Sequence, residues 1–177
     1  MSIFWLAQGI GAIALALIVF SYQGKIRNQI LIRQIFSALI FVVHYAMLFA
    51  WTGAFMNAIV VVRNWVFSKK DTNAWANNIA WVVLFSILSV GVLYFSWQGI
   101  ISIFPVAGVL TGIYARWQDR AAQIRIFGLI GCVLWIVYTI AVDSYVGTVT
   151  QLIIAAGVII GMLRHDRVPE TASGKIL

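Results

Sequence analysis

Apolar residues run along this chain in seven long stretches, at about 3–21, 30–50, 53–68, 75–95, 97–115, 123–142 and 145–163, with short polar breaks between them. A helix rises about 1.5 Å per residue, so roughly 20 apolar residues cross a hydrocarbon core about 30 Å thick, and each stretch is read as a transmembrane helix. The third is the shortest and contains Arg63, which lies near the charged end of its segment and is expected to snorkel to the interface. Most other polar residues keep to segment ends. Asn57, inside "GAFMNAIVV", is the conspicuous exception.

The polar breaks differ in charge. Lys25, Arg27 and Arg33 flank the first, Arg63, Lys69 and Lys70 the third, Arg116, Arg120 and Arg125 the fifth, and Arg164, Arg167 and Lys175 follow the last stretch. The connections at about 50–53, 95–98 and 142–145 carry no basic residue and one acid, Asp143. All 12 Lys and Arg therefore fall on one side of a seven-span chain. The positive-inside rule makes that side cytoplasmic, with the N-terminus outside and the C-terminus inside. Trp5, Trp51 and Trp97 then mark the outer boundary and Tyr22, Trp75 and Trp117 the inner one. The tail at 164–177 is polar and expected to be mobile.

Composition sharpens this picture. Of 177 residues, 63% are hydrophobic and 10% charged, which leaves no room for a separate soluble domain beside seven crossings. The formal charge of +7 raises the question of nucleic acid, and its confinement to one set of loops answers against it. The opening "MSIFWLAQGIGAIALALIVF" has neither a basic start nor a small-residue cleavage site and is read as a retained helix. A lone Cys132 allows no internal disulfide and gives no metal cluster.

A weak internal repeat organises the spans. "FVVHYAMLFAWTGAFMN" (41–57) lies over "WIVYTIAVDSYVGTVTQ" (135–151) at a shift of 94, pairing Phe41 with Trp135, Gly53 with Gly147 and Asn57 with Gln151. "QGI" recurs at 8–10 and 98–100, a shift of 90. Three helices reverse the side of the chain, so a second copy in the same orientation needs one extra crossing between them. The expected fold is an all-α membrane bundle of two parallel three-helix repeats, 1–70 and 97–163, joined by a linker helix within 71–96.

This organisation resembles the SWEET and PQ-loop transporters, whose two three-helix units enclose a substrate pocket. The resemblance implies that Asn57 and Gln151 face such a pocket, with Phe41 and Trp135 as its walls. The chain departs from that family in its prolines, since Pro105 is the only one within a span and "SYQGK" at 21–25 has the Gln without a preceding Pro. A second resemblance rests on "WLAQGIGAIA", "VVHYAMLFAWTGAFMNAIVVVRN" and "DSYVGTVTQ" before an apolar last helix and basic tail. These are similar to the YgjV-type proteins of the bacterial inner membrane, which implies that location.

An amide in hydrocarbon needs a partner, which can be another helix, water or a ligand. Asn57 and Gln151 each offer donor and acceptor without charge, and an aromatic ring stacks on flat or sugar-like solutes. The expected function is a small facilitator of a neutral or zwitterionic polar metabolite, sugars included. The alternative is a non-transporting scaffold or regulator with a dry centre.

His44 is a candidate for proton coupling or a neutral histidine bonded within the bundle. Pro105, followed by Gly108 and Gly112, is expected to break a backbone bond mid-span as a hinge or a static kink. Gly157 and Gly161 form a G-x-x-x-G that serves close packing or, alternatively, a homodimer. No paired base, metal set, nucleophile elbow or phosphate-binding glycine loop is present in the sequence, so neither enzyme nor cofactor is expected.

Overall fold

A computed structural model describes residues 3–21, 27–118 and 121–165. The described residues form seven α-helices and no strand: α1 (Ile3–Ser21), α2 (Arg27–Met47), α3 (Trp51–Ser68), α4 (Ala80–Phe95), α5 (Ile103–Trp117), α6 (Ala121–Ala141) and α7 (Tyr145–His165). A 3₁₀ turn, Ile100–Ser102, precedes α5. Tyr22, Lys25, Arg120 and the polar tail beyond His165 lie outside the described residues.

Five segments are long and apolar enough to cross a bilayer: Ile3–Ser21, Gln29–Met47, Ile100–Trp117, Ala122–Ala141 and Tyr145–Leu163. α3 falls short in hydropathy because Asn57, Arg63 and Asn64 interrupt it, and α4 falls short in length at 16 residues. The sequence reading began the fourth span at 75, whereas the helix begins at Ala80. The cause is "DTNAWANN": Thr72 and Asn73 bond each other at 2.7 Å and the Asn78 carboxamide accepts the Ala80 N–H at 2.8 Å. Short polar side chains of this kind offer the backbone an alternative to helix. Gly99, at φ +100°, turns the chain between α4 and the 3₁₀ segment.

Two turns at the opposite end from the basic residues share one geometry. Phe49 and Asp143 are the only non-glycine residues with positive φ among those described, at 56° and 52°. They stand 94 positions apart. Each closes its helix in the same way: Ala50 N–H donates to Tyr45 O at 2.9 Å, and Ser144 N–H to Thr139 O at 2.8 Å. This is the left-handed helix stop in which a 6→1 bond satisfies an otherwise orphaned carbonyl.

The helices α1, α2 and α3 pack in series, as do α5, α6 and α7. α3 meets α5 and α1 meets α7, so the six close into a ring, and α4 lies on the α3–α5 seam. Leu31, Met56, Val66, Phe67, Phe85, Val109 and Ile113 fill that seam. Outward positions are apolar, among them Val43, Val62, Ile87, Val133 and Ile160, while Gln34, Ser37, His44, Asn57, Arg63 and Asn64 are buried. Polar groups inside and greasy ones outside are what hydrocarbon selects.

Gly53 sits at a close approach, where an added Cβ would stand 2.7 Å from the Tyr138 ring and 3.1 Å from the Tyr45 ring. Gly53→Ala is expected to destabilise by about 1–3 kcal/mol through overpacking. Gly9 has nothing within 4 Å, so Gly9→Ala should be neutral or stabilise by up to about 1 kcal/mol. Thermal unfolding of the two purified variants in one detergent checks the contrast.

Candidate functional site

Inside the ring lies a cavity of about 740 Å³. This is within the usual range of small-molecule sites. Phe41, Asn57, Trp135 and Gln151, drawn from the two halves of the chain, all line it. Its lining continues past Gln34, Val60, Arg63, Asn64 and Arg116 to Lys70 and Asp71 in the loop after α3, so it reaches the basic end of the bundle.

The inner limit is aromatic. Phe41 stacks on Tyr45 at 5.9 Å between centroids, and Tyr45, Trp135 and Tyr138 lie about 6 Å from one another. Trp135 can approach because α5 presents Gly108 to it, where a Cβ would stand 2.6 Å from the indole. The two carboxamides differ in their bonding. Asn57 Nδ2 donates to Gly53 O, one turn earlier on its own helix, at 2.9 Å, leaving its oxygen toward the cavity. Gln151 is half-buried and its carboxamide forms no hydrogen bond among the described residues.

Beyond the aromatic layer the bundle is closed by two matched clamps. Gln8 Nε2 donates to Asp143 O at 2.8 Å and Gln8 Oε1 accepts Val146 N–H at 3.2 Å. Gln98 Nε2 donates to Phe49 O at 2.7 Å. Each glutamine of the recurring "QGI" thus holds the positive-φ residue of the other half. Thr52, Ser96 and Ser102 add a hydroxyl cluster, with Thr52 Oγ1 donating to Ser96 O at 2.7 Å.

His44 belongs to this closed end rather than to the cavity lining. Its Nδ1 lies 2.7 Å from Ala7 O, an acceptor only, so Nδ1 carries the proton. Its Nε2 accepts from Ser144 Oγ at 2.7 Å, and that oxygen accepts Gly147 N–H at 3.2 Å. Both ring nitrogens are engaged, as the bonded reading of this residue anticipated. In the other half, Tyr138 occupies the position matching His44, Ala50 the position matching Ser144, and the Tyr138 hydroxyl accepts Gly53 N–H directly at 2.8 Å.

Two sequence expectations need correction. Pro105 lies nearer the start of its helix than the middle: α5 starts at Ile103, directly after the 3₁₀ turn, so the proline is the sixth residue of the continuous Ile100–Trp117 segment. The discontinuity is the 3₁₀ turn ahead of it. Arg63 does not snorkel: it is 2% exposed, because α3 turns it into the cavity wall beside Asn64 instead of toward the end of the bundle. Sequence reasoning also passed over Gln8, Gln98, Tyr45, Tyr138 and Arg116. A signal existed for Arg63, since Asn57, Val60 and Asn64 recur at helical spacing and Arg63 borders that stripe.

The architecture and its inside-out polarity define an all-helical integral membrane bundle. The sequence profile of the Imp-YgjV family, described as bacterial inner membrane protein, matches residues 5–168. The chain belongs to this family and is a multi-pass protein of the bacterial inner membrane. No curated protein and no solved structure gives a match, so the likeness to SWEET and PQ-loop transporters is not confirmed.

If the cavity is wet, cysteines replacing Gln34, Val60 or Gln151 in a Cys132→Ser background should react with a polar thiol reagent. A cysteine at Thr52 or Thr139, behind the aromatic layer, should be at least about tenfold slower under the same conditions. Equal protection at both sets would show a dry interior.

Proposed function

We propose that this protein is a small transporter, a facilitator of a polar metabolite, built as two parallel three-helix repeats around α4 as linker. The observation that carries the reading is the cavity itself: Phe41, Asn57, Trp135 and Gln151 line one chamber that reaches the basic end and stops at an aromatic layer. Support for the repeat comes from the paired turns at Phe49 and Asp143 and the reciprocal clamps of Gln8 and Gln98. By the positive-inside rule the basic end faces the cytoplasm, so the conformation corresponds to an inward-facing state.

In this mechanism the solute enters from the cytoplasmic side and stacks against Trp135 and Phe41. It hydrogen-bonds the free Gln151 carboxamide and the Asn57 oxygen. Opening outward requires the two clamps and the Tyr138–Gly53 bond to release while the basic end closes. The bonds to be exchanged are a few neutral hydrogen bonds of about 1 kcal/mol net each, a scale compatible with rapid interconversion. Gly99, at φ +100°, places adaptable backbone immediately before the 3₁₀ turn.

Proteoliposomes loaded with a mixture of isotope-labelled sugars, amino acids and small organic acids should lose at least one component faster than protein-free vesicles, as read by mass spectrometry. Gln151→Ala and Asn57→Ala are expected to slow that loss by roughly tenfold, the loss of one or two hydrogen bonds to the solute. Release no faster than from empty vesicles for every component would end the proposal.

A further inference from the structure

The third helix carries a charge into the bundle, and its surroundings define what it meets there. Arg63 Nη2 and Nε both donate to the Oδ1 of its neighbour Asn64, at 2.9 and 3.3 Å. No carboxylate among the described residues pairs with it. Asn64 Nδ2 is wholly buried and has no acceptor at all. On the adjoining helix α5, Arg116 Nη1 donates to Gly112 O at 3.2 Å.

Gly112 is where the two cations converge. A Cβ there would stand 3.1 Å from Arg116 Nη1 and 3.3 Å from Arg63 Nη1. Arg63, 2% exposed and without a carboxylate partner among the described residues, carries the kind of charge that is least tolerated inside a membrane bundle. The corner offers donors and positive charge, with Asn64 Oδ1 already taken. Among the described residues lining the cavity, the ionised side chains are the basic Arg63, Lys70 and Arg116 and one acid, Asp71, at the mouth. Lys70 lies 4.1 Å over the Trp117 ring at the same end.

We infer that Arg63, Arg116 and Asn64, around Gly112, form a binding site for the carboxylate or phosphate group of the solute. An oxyanion there accepts from Arg63 Nη1 and Asn64 Nδ2 and supplies the counter-charge that the buried Arg63 lacks among the described residues. The planar fork of arginine suits this geometry. This inference rests on the transport reading for the word solute, and it selects a zwitterion or an organic anion over a neutral sugar. Six residues of helix separate Arg63 from Asn57, a rise of about 9 Å, so the ligand carries its hydroxyl, amide or ring end about that far from its anionic group. The absence of a side chain at Gly112 keeps the corner open.

The test uses the purified full-length chain in a neutral maltoside detergent. Inorganic phosphate and acetate are titrated calorimetrically at constant ionic strength, with glycerol as a neutral comparator. Phosphate or acetate should bind the wild-type protein and glycerol should not. Arg63→Gln should weaken anion binding at least about tenfold, since it removes a charge-assisted bond. Its thermal unfolding should stay close to wild type, since the glutamine amide can still donate to Asn64 Oδ1 while a buried charge without a carboxylate partner is removed. Gly112→Ala, which places a methyl between the guanidinium groups, should weaken binding likewise while keeping both charges.

Absence of anion binding to the wild type, or binding unchanged in both variants, would overturn the site. Stabilisation by phosphatidylglycerol where phosphate and acetate give none would assign the corner to a lipid headgroup and also overturn it. Anion binding lost in both variants, with no release from proteoliposomes, would keep the anion site and end the transport reading. Release of neutral components alone, without anion binding, would do the reverse.

Discussion

Hydrocarbon cannot solvate a helix end, and the far turns of this protein are arranged around that constraint. Where α2 gives way to α3 and α6 to α7, the chain reverses in a few residues and leaves carbonyl and N–H groups that need partners. In each case the partner comes from the opposite half. Gln8 reaches the turn at Asp143 and Gln98 the turn at Phe49. Satisfying the turns and joining the halves are therefore one act, and it closes the bundle at the end away from the basic residues.

Several buried polar groups outside this closure line the wall of the cavity toward the other end. Ser37 bonds Ala14 O and Thr150 bonds Val146 O, both wall residues turned back on backbone. Gln151, the Asn57 oxygen and Arg63 Nη1 have no such return. An interior that seals one end thoroughly and leaves groups unsatisfied along a chamber open at the other has the layout of a one-sided vestibule. The aromatic layer of Phe41, Tyr45 and Trp135 is its floor, and the clamps lie behind it.

Much of this was legible in the sequence because it follows from the solvent. Seven apolar runs became seven helices, and the repeat alignment at a shift of 94 put Phe41 against Trp135 and Asn57 against Gln151, four residues that line one cavity. The positions of Arg63 and Pro105 were misjudged because both depend on where a helix starts and how it is rotated. Apolar composition leaves these open when every face is greasy. The start of α5 was set by Gly99 and the 3₁₀ turn, and the start of α4 by the asparagines before it, local chemistry that a hydropathy pattern averages away. The "QGI" pair was visible as a repeat, but its role was not, since a clamp is a relation between distant turns.

The exchange at positions 44 and 138 has a further meaning. One half uses a histidine with a serine relay, Gly147 to Ser144 to His44, and the other a tyrosine that spans the same gap unaided to Gly53. Ala50, at the position matching Ser144, has no side-chain group for a histidine to bond. The two joints are therefore unlike: one runs through an imidazole and a hydroxyl, the other through a phenol alone. Substituting one joint's residues into the other would thus break a bond on each side of the seam.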